Sequence, residues 1–273
     1  MLATFLLLAA PAGAGETLHF DPWLDLPVLA ATGGYTAATQ FLIEPPYVPQ
    51  AAPAEPRLSL DARYAGLPEI DGEGPALLSD IVGFYPSFAA PFLLGGLGLI
   101  GPAGERGRLA RAGTWTAIGI EAVTVNATLT DLVKRAVRRP RPYAYAGDWQ
   151  AATAEALATG EPVDVEAQLS FPSGHASTAG AWSFCLAHVL AVTRDGPWYA
   201  KLPPYLGAAG ITVWTGALRV RAHKHFPTDV LVGGLLGASV GVVVPELHRD
   251  SRLRLGAGTG PAGEPALALS GAW

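Results

Sequence analysis

Long, nearly charge-free stretches alternate with short polar links along this chain, and the alternation predicts an all-α helical bundle. Segments 26–43, 81–104, 205–218 and 230–245 carry no charged side chain, 113–130 carries only Glu121, and 168–193 carries only His175 and His188. Ser79-Asp80 offers a cap for the helix predicted over 81–104. A helix crossing a bilayer needs about 20 mainly apolar residues. Segments 81–104 and 168–193 reach that length; the others are marginal and fit a buried helix of a soluble bundle equally well. Segment 44–78, with many prolines and several carboxylates, predicts an extended, solvent-facing connection, and 141–165 a second one. The Gly-, Ala- and Pro-rich end from 255 predicts a loosely ordered tail.

The basic residues orient these segments. If 81–104 and 113–130 form a hairpin, its link carries Arg106, Arg108 and Arg111, the bias of a cytoplasmic loop. Segment 131–165 then lies outside, Arg194 and Lys201 inside, 219–229 outside, and His248, Arg249, Arg252 and Arg254 inside. The expectation is about five membrane-spanning helices, with the candidate site at helix ends on the outer face. The N-terminus has a short apolar run ending in Ala12-Gly13-Ala14, which predicts a signal peptide over 1–14, the alternative being an uncleaved anchor. With cleavage, 26–43 must pack against the bundle rather than cross. The expected organisation is thus an extracytoplasmic segment over 15–80 containing a packed helix, a helical domain over 81–250 and a flexible tail over 251–273.

Composition supports the membrane arrangement. Charged residues make up 15% of the chain, against about 25% in a typical soluble domain, and mean hydropathy is +0.29. A net charge of −5 argues against nucleic acid held by long-range attraction. Cys185 is the single cysteine, so no intrachain disulfide forms, and it is expected to be a small buried apolar residue.

Three short segments carry candidate chemistry. The run from Lys134 to Pro142 holds five basic residues in nine positions; a basic cluster at a membrane border is the plain alternative. Pro172-Ser173-Gly174-His175 feeds directly into an apolar run, so it can present backbone N–H groups, the Ser173 hydroxyl and an imidazole at a helix N-terminus, a ready anion site; it also reads as a simple helix cap. In the third segment, Arg219 to Asp229, His225 and Asp229 are four apart and share a face of any helical turn. Pro227 marks a helix start there. Asp229 is expected to accept a hydrogen bond from one imidazole nitrogen of His225, fixing the tautomer and leaving the other nitrogen free to attack. Arg135, Arg138, Arg139, Arg221, His223 and Lys224 read as rim or interface charges. Glu121, an ionisable residue in an apolar stretch, is a functional candidate by position, with a structural hydrogen bond the expected role.

Together these segments resemble the three-part signature of the type 2 phosphatidic acid phosphatases, a family that includes bacterial non-specific acid phosphatases and vanadium haloperoxidases. Lys134 and Arg141-Pro142 match the first motif, Pro172 to His175 the second, and Arg219, His225 and Asp229 the third, where Leu218 stands in place of the usual serine. The resemblance implies a metal-independent phosphoric ester hydrolase without a cofactor. Lys134, Arg141 and Arg219 would clamp the phosphate, assisted by Ser173 and the Gly174 N–H. His225 would form a phosphohistidine, His175 would protonate the leaving oxygen and then activate water, and Asp229 would orient His225. No carboxylate cluster suited to a metal ion stands out in the sequence. The expected partner is a phosphorylated lipid in a bacterial inner membrane, with the site facing the periplasm and no nucleic acid or obligate protein partner. A soluble periplasmic acid phosphatase, a vanadate-dependent haloperoxidase and a non-catalytic membrane protein are the alternatives.

Overall fold

The computed structural model describes residues 17–43, 59–70, 74–100, 104–249, 254–259 and 265–270. The expected signal peptide lies outside them. The helices are α1 (Pro22–Phe41), α2 (Ser59–Ala62), α3 (Pro75–Ser79), α4 (Pro86–Gly98), α5 (Glu105–Val137), α6 (Gly147–Thr159), α7 (Gly174–Thr193), α8 (Trp198–Arg221) and α9 (Pro227–Leu247). A π-helical turn, Asp80–Phe84, joins α3 to α4. Within the segment expected to be a loose tail, β1 (Arg254–Thr259) pairs antiparallel with β2 (Pro265–Ser270); apart from a single bridge between Leu18 and Arg249, the other regular elements among the described residues are helical.

The central pair is α7 and α9, and small residues explain their closeness. Gly233, Gly237 and Gly241 recur every fourth residue of α9, so they share one face. A Cβ on Gly237 would lie 1.8 Å from the Ser177 carbonyl oxygen, and one on Gly241 2.5 Å from that of Ala181. Only hydrogen fits at these positions. Backbone-to-backbone packing on a small-xxx-small stripe is the arrangement apolar helices use when burial alone gives no preference between partners. The main core then fills between α5, α7 and α9 with Leu94, Trp115, Ile118, Ala122, Cys185, Val189, Val240 and Val244. As expected, Cys185 is buried and unpaired.

Three stretches are long and apolar enough to cross a membrane: Pro75–Gly98, Gly174–Thr193 and Pro227–Leu247. The outward faces of the first and third are mainly apolar, with Phe88, Phe92, Leu93, Leu231, Leu235 and Val243 all exposed. Exposed apolar area on this scale marks a surface that faces lipid or a partner rather than water, consistent with membrane association. The apolar segment 26–43 belongs to α1, which runs alongside α5 and is tied to it by Thr32–Thr124 and Tyr35–Asp131 hydrogen bonds of 3.0 and 2.8 Å.

Of the expected solvent-facing connection over 44–78, the described residues are mostly exposed or half-buried, but Asp61 in α2 turns inward and is fully buried, as is Ser79 just beyond the segment at the end of α3. The chain returns to the bundle there because arginines from later in the sequence need counter-charges.

Candidate active site

The three signature segments meet at one end of the bundle. Lys134 sits in the last turn of α5. Arg138 then adopts the left-handed conformation, φ 48°, which ends the helix and turns Arg139 and Arg141 back across the bundle. Arg141 is buried, with its backbone N–H on the Ala167 carbonyl and its guanidinium on Glu166, Nε to the carbonyl oxygen at 2.8 Å and Nη2 to the carboxylate at 2.7 Å. Ser173 caps α7 and Gly174 opens it. A Cβ on Gly174 would lie 3.8 Å from the Lys134 ammonium nitrogen, so the first and second segments touch. Arg219 lies in the last turn of α8 and is buried. His225 follows in the link to α9, and Asp229 lies in the first turn of that helix.

His225 is 1% exposed, and its Nδ1 lies 2.7 Å from the Ser170 carbonyl oxygen. A carbonyl only accepts, so Nδ1 carries the proton and Nε2 keeps its lone pair. Burial, then the positive field of Arg141, Arg219 and Lys134, holds the imidazole pKa well below 6.5. The imidazole is therefore neutral at neutral pH, with Nε2 unprotonated. Burial followed by the Arg141 cation likewise lowers Lys134 to about 8, and the same two causes lower Arg219 to about 10.

The expected direct hydrogen bond between His225 and Asp229 is not formed, the atoms being 3.8 Å apart. The reason is that Asp229 is already committed. Its Oδ2 accepts from Ser170 Oγ at 2.5 Å and from the Phe226 N–H at 2.9 Å, capping its own helix, while Oδ1 accepts from Arg139 at 2.6 Å. Ser170 connects the two, its carbonyl holding His225 and its hydroxyl meeting Asp229.

Arg139, expected at the rim, instead points inward. It bridges Asp229 and Asp61, at 2.6 and 2.9 Å, and stacks over the Phe226 ring 4.2 Å from its centroid. Asp61 also accepts from the Thr228 hydroxyl and N–H. His223 and Lys224 likewise engage the 59–70 segment, through the Pro68 carbonyl and Glu69.

Asp80 is the second residue that sequence reasoning missed. Its Oδ1 accepts from His175 Nε2 at 2.6 Å and stands 3.8 Å from Arg219. The π turn makes this possible: the Tyr85 N–H reaches five residues back to the Asp80 carbonyl, and Trp182 of α7 donates to the Gly83 carbonyl at 3.0 Å. The same turn sets the Phe84 ring 5.2 Å from that of His175. Such π turns are frequent at functional sites, but their sequence signature is weak. Ser79, next to Asp80, places its hydroxyl 3.3 Å from Arg219. It supplies the polar contact that Leu218, buried and apolar, lacks.

Two buried donors among these groups, Ser173 Oγ and Arg219 Nε, have no hydrogen-bond partner among the described residues. A cleft of about 650 Å³ opens at the other end of the bundle, lined by Leu18, Leu97, Arg111, Trp115 and Arg194, and holds none of the signature residues.

Comparison with known proteins gives a consistent result. Residues 115–253 match the PAP2 superfamily model. The chain is 32% identical over 129 residues to phospholipid phosphatase 1 of Rattus norvegicus, covering 43% of this chain and 46% of that one. It is 35% identical over 128 residues to phospholipid phosphatase 2 of Homo sapiens, covering 42% and 44%. It is 31% identical over 130 residues to decaprenylphosphoryl-5-phosphoribose phosphatase of Mycobacterium tuberculosis, covering 48% and 59%. The chain thus spans about half the length of the curated relatives it matches. No solved structure gives a significant match. Because the matched segment is just over half of the chain and contains every signature position, the chain belongs to the PAP2 superfamily.

Proposed function

We propose that this protein is a membrane phosphatase that hydrolyses phosphate monoesters or diphosphates of lipids through a phosphohistidine on His225. One observation carries this: a buried imidazole whose Nδ1 is held by the Ser170 carbonyl, so that its Nε2 lone pair is free amid the cations Lys134, Arg141 and Arg219. Nε2 attacks phosphorus and the ester P–O bond breaks. Burial and the neighbouring cations hold the pKa of free His175 at about 4. The bound phosphate dianion offsets them, so His175 takes up a second proton beside the Nε2–H held by Asp80, delivers it to the departing oxygen, and the lipid alcohol leaves. Water then loses a proton to His175 as its oxygen attacks the phosphohistidine, releasing orthophosphate and restoring both imidazoles. Three cations offset the charge of the five-coordinate phosphorus. Ser173 Oγ and Arg219 Nε are the orphaned donors a phosphate oxygen would satisfy. Asp80 positions His175, and Asp229, acting through Ser170, positions His225.

The lipid class is favoured by three long apolar helices and by relatives named for phospholipids and a decaprenyl phosphosugar. In the arrangement we favour, α5 and α8 cross beside those three helices, giving five spans. Arg106, Arg108 and Arg111 then lie in the cytoplasm and the catalytic end on the outer, periplasmic face. The test is phosphate release from a panel of phosphatidate, polyprenyl diphosphate and soluble esters, with His225→Ala as the blank. Wild-type protein quenched in alkaline detergent should carry substrate-derived phosphate that is stable to base and released by acid. A His225→Ala protein that turns over at the wild-type rate overturns the assignment.

A further inference from the structure

A second cluster of titratable groups lies far from the phosphate site. Asp25 of α1, Glu121 of α5 and His248, the residue after α9, point at one another, with one ligand-type atom from each lying within 4.8 Å of the others. His248 ends the helix whose first turn holds Asp229, so at 1.5 Å per residue the two sites are about 30 Å apart. All three residues are more than nine-tenths buried. We propose that they form a binding site for one divalent transition-metal ion of the zinc class.

Four observations support a metal ion. Glu121 Oε2 and His248 Nε2 are buried without a hydrogen-bond partner among the described residues, a costly state for a carboxylate and an imidazole unless something else coordinates them. His248 Nδ1 lies 2.8 Å from the Val244 carbonyl, so Nδ1 carries a proton and Nε2 is the ring atom that faces the carboxylates. Fixing one ring nitrogen on a backbone carbonyl is how proteins aim the other at a metal. The Nε2 atom lies 3.3 Å from Asp25 Oδ2 and 3.4 Å from Glu121 Oε2. Ligands bound at about 2.0–2.1 Å around a tetrahedral zinc stand about 3.3 Å apart, so both distances fit edges of that tetrahedron. Finally, the surroundings are apolar: Ile118 and Ala122 flank Glu121, and Leu18, Trp115 and Val244 belong to the same core. Two carboxylates here repel each other, and a dication offsets both.

One imidazole nitrogen and two carboxylate oxygens suit zinc, manganese or iron better than magnesium, which keeps several waters. Asp25 Oδ2 also accepts from the Asp21 N–H at 2.6 Å, which orients it. An ion here ties the N-terminal helix α1 to α5 and to the end of α9. The position of Glu121 within an otherwise uncharged stretch then has a chemical reason.

The test uses full-length protein in detergent, stripped with chelator and titrated with Zn²⁺ and, separately, Co²⁺. Saturation is expected at one equivalent that survives in His225→Ala, together with a Co²⁺ visible spectrum of nitrogen–oxygen ligation. Asp25→Asn, Glu121→Gln and His248→Ala should each weaken Zn²⁺ binding at least about tenfold, the usual lower effect of losing a metal-site group. Should one of these variants fail to fold, the wild-type Co²⁺ spectrum and the remaining two decide. Absence of stoichiometric binding, or binding that disappears in His225→Ala and persists in His248→Ala, shows that a metal-free His248–carboxylate ion triad fills the position and overturns the proposal.

Discussion

The Nδ1 of His225 is bonded to the carbonyl of Ser170 and not to Asp229, although Asp229 is only 3.8 Å away. Ser170 therefore passes the influence of the acid to the imidazole. Ser170→Ala should lower the single-turnover rate about tenfold and Asp229→Asn up to about a hundredfold, the range for removing a group that orients a reactive imidazole. The double variant should be little worse than Asp229→Asn, because both act on one unit. Rapid-quench rates of the four proteins check this; effects that multiply would show that Ser170 and Asp229 act independently.

Asp80→Asn should lower kcat about tenfold to a hundredfold by loosening His175, a scale typical of general acid–base contributions. Its KM should fall, since a negative charge 3.8 Å from Arg219 is removed. Steady-state kinetics separate the two parameters. A purely structural role for Asp80 would instead reduce the active fraction, leaving KM and the pH profile unchanged.

Lys134 should set the alkaline limit of the proposed activity. With a pKa of about 8, it loses its proton as pH rises through that value, and the phosphate loses one of its three cations. The ratio kcat/KM, which reports the free enzyme, should decline above about pH 8. The decline in kcat alone should come later, because bound phosphate favours the ammonium. Lys134→Arg should move the kcat/KM limb upward. In the unfolded chain this lysine titrates near 10.5, so the unfolded state binds the extra proton between about 8 and 10.5 and the lysine's contribution to stability rises with pH across that window. His225, held well below 6.5, should give no acidic limb at its ordinary pKa.

Gly237→Ala should destabilise the protein by about 3 kcal/mol, the upper range for overpacking, because its methyl group meets the Ser177 carbonyl. Gly207→Ala on α8, which meets nothing within 4 Å, should be neutral or stabilise by up to about 1 kcal/mol. Thermal unfolding in one detergent compares them directly.

Much of the site was legible because its spacing is rigid. Lys134, Arg141, Ser173, His175, Arg219, His225 and Asp229 are fixed within short segments, and the structure gathers them at one end of the bundle. Helix positions were legible where apolar runs were uninterrupted. The short apolar run 205–218 proved to be part of a helix of 24 residues, Trp198–Arg221, because Pro203 and Pro204 lie inside it where they would ordinarily mark a break. Asp61, Asp80 and Glu121 show what pattern alone omits. Each gains its role from a partner many positions away, Arg139, His175 and His248 respectively, and a lone acidic residue carries no mark of that. The Asp229 hydrogen bond was misjudged for a related reason: shared helical face is a matter of spacing, whereas the choice between acceptors depends on which donors arrive from elsewhere.

Ser79, Asp61 and Asp80 all precede residue 115, where the superfamily match begins. A clone trimmed to the recognisable portion would thus retain the full motif set and discard Asp61, one of the two acidic partners of Arg139, and Asp80, the acidic partner of His175. Grafting that portion onto a foreign N-terminal half meets the same obstacle, since the donor half must bring two carboxylates to the right depth.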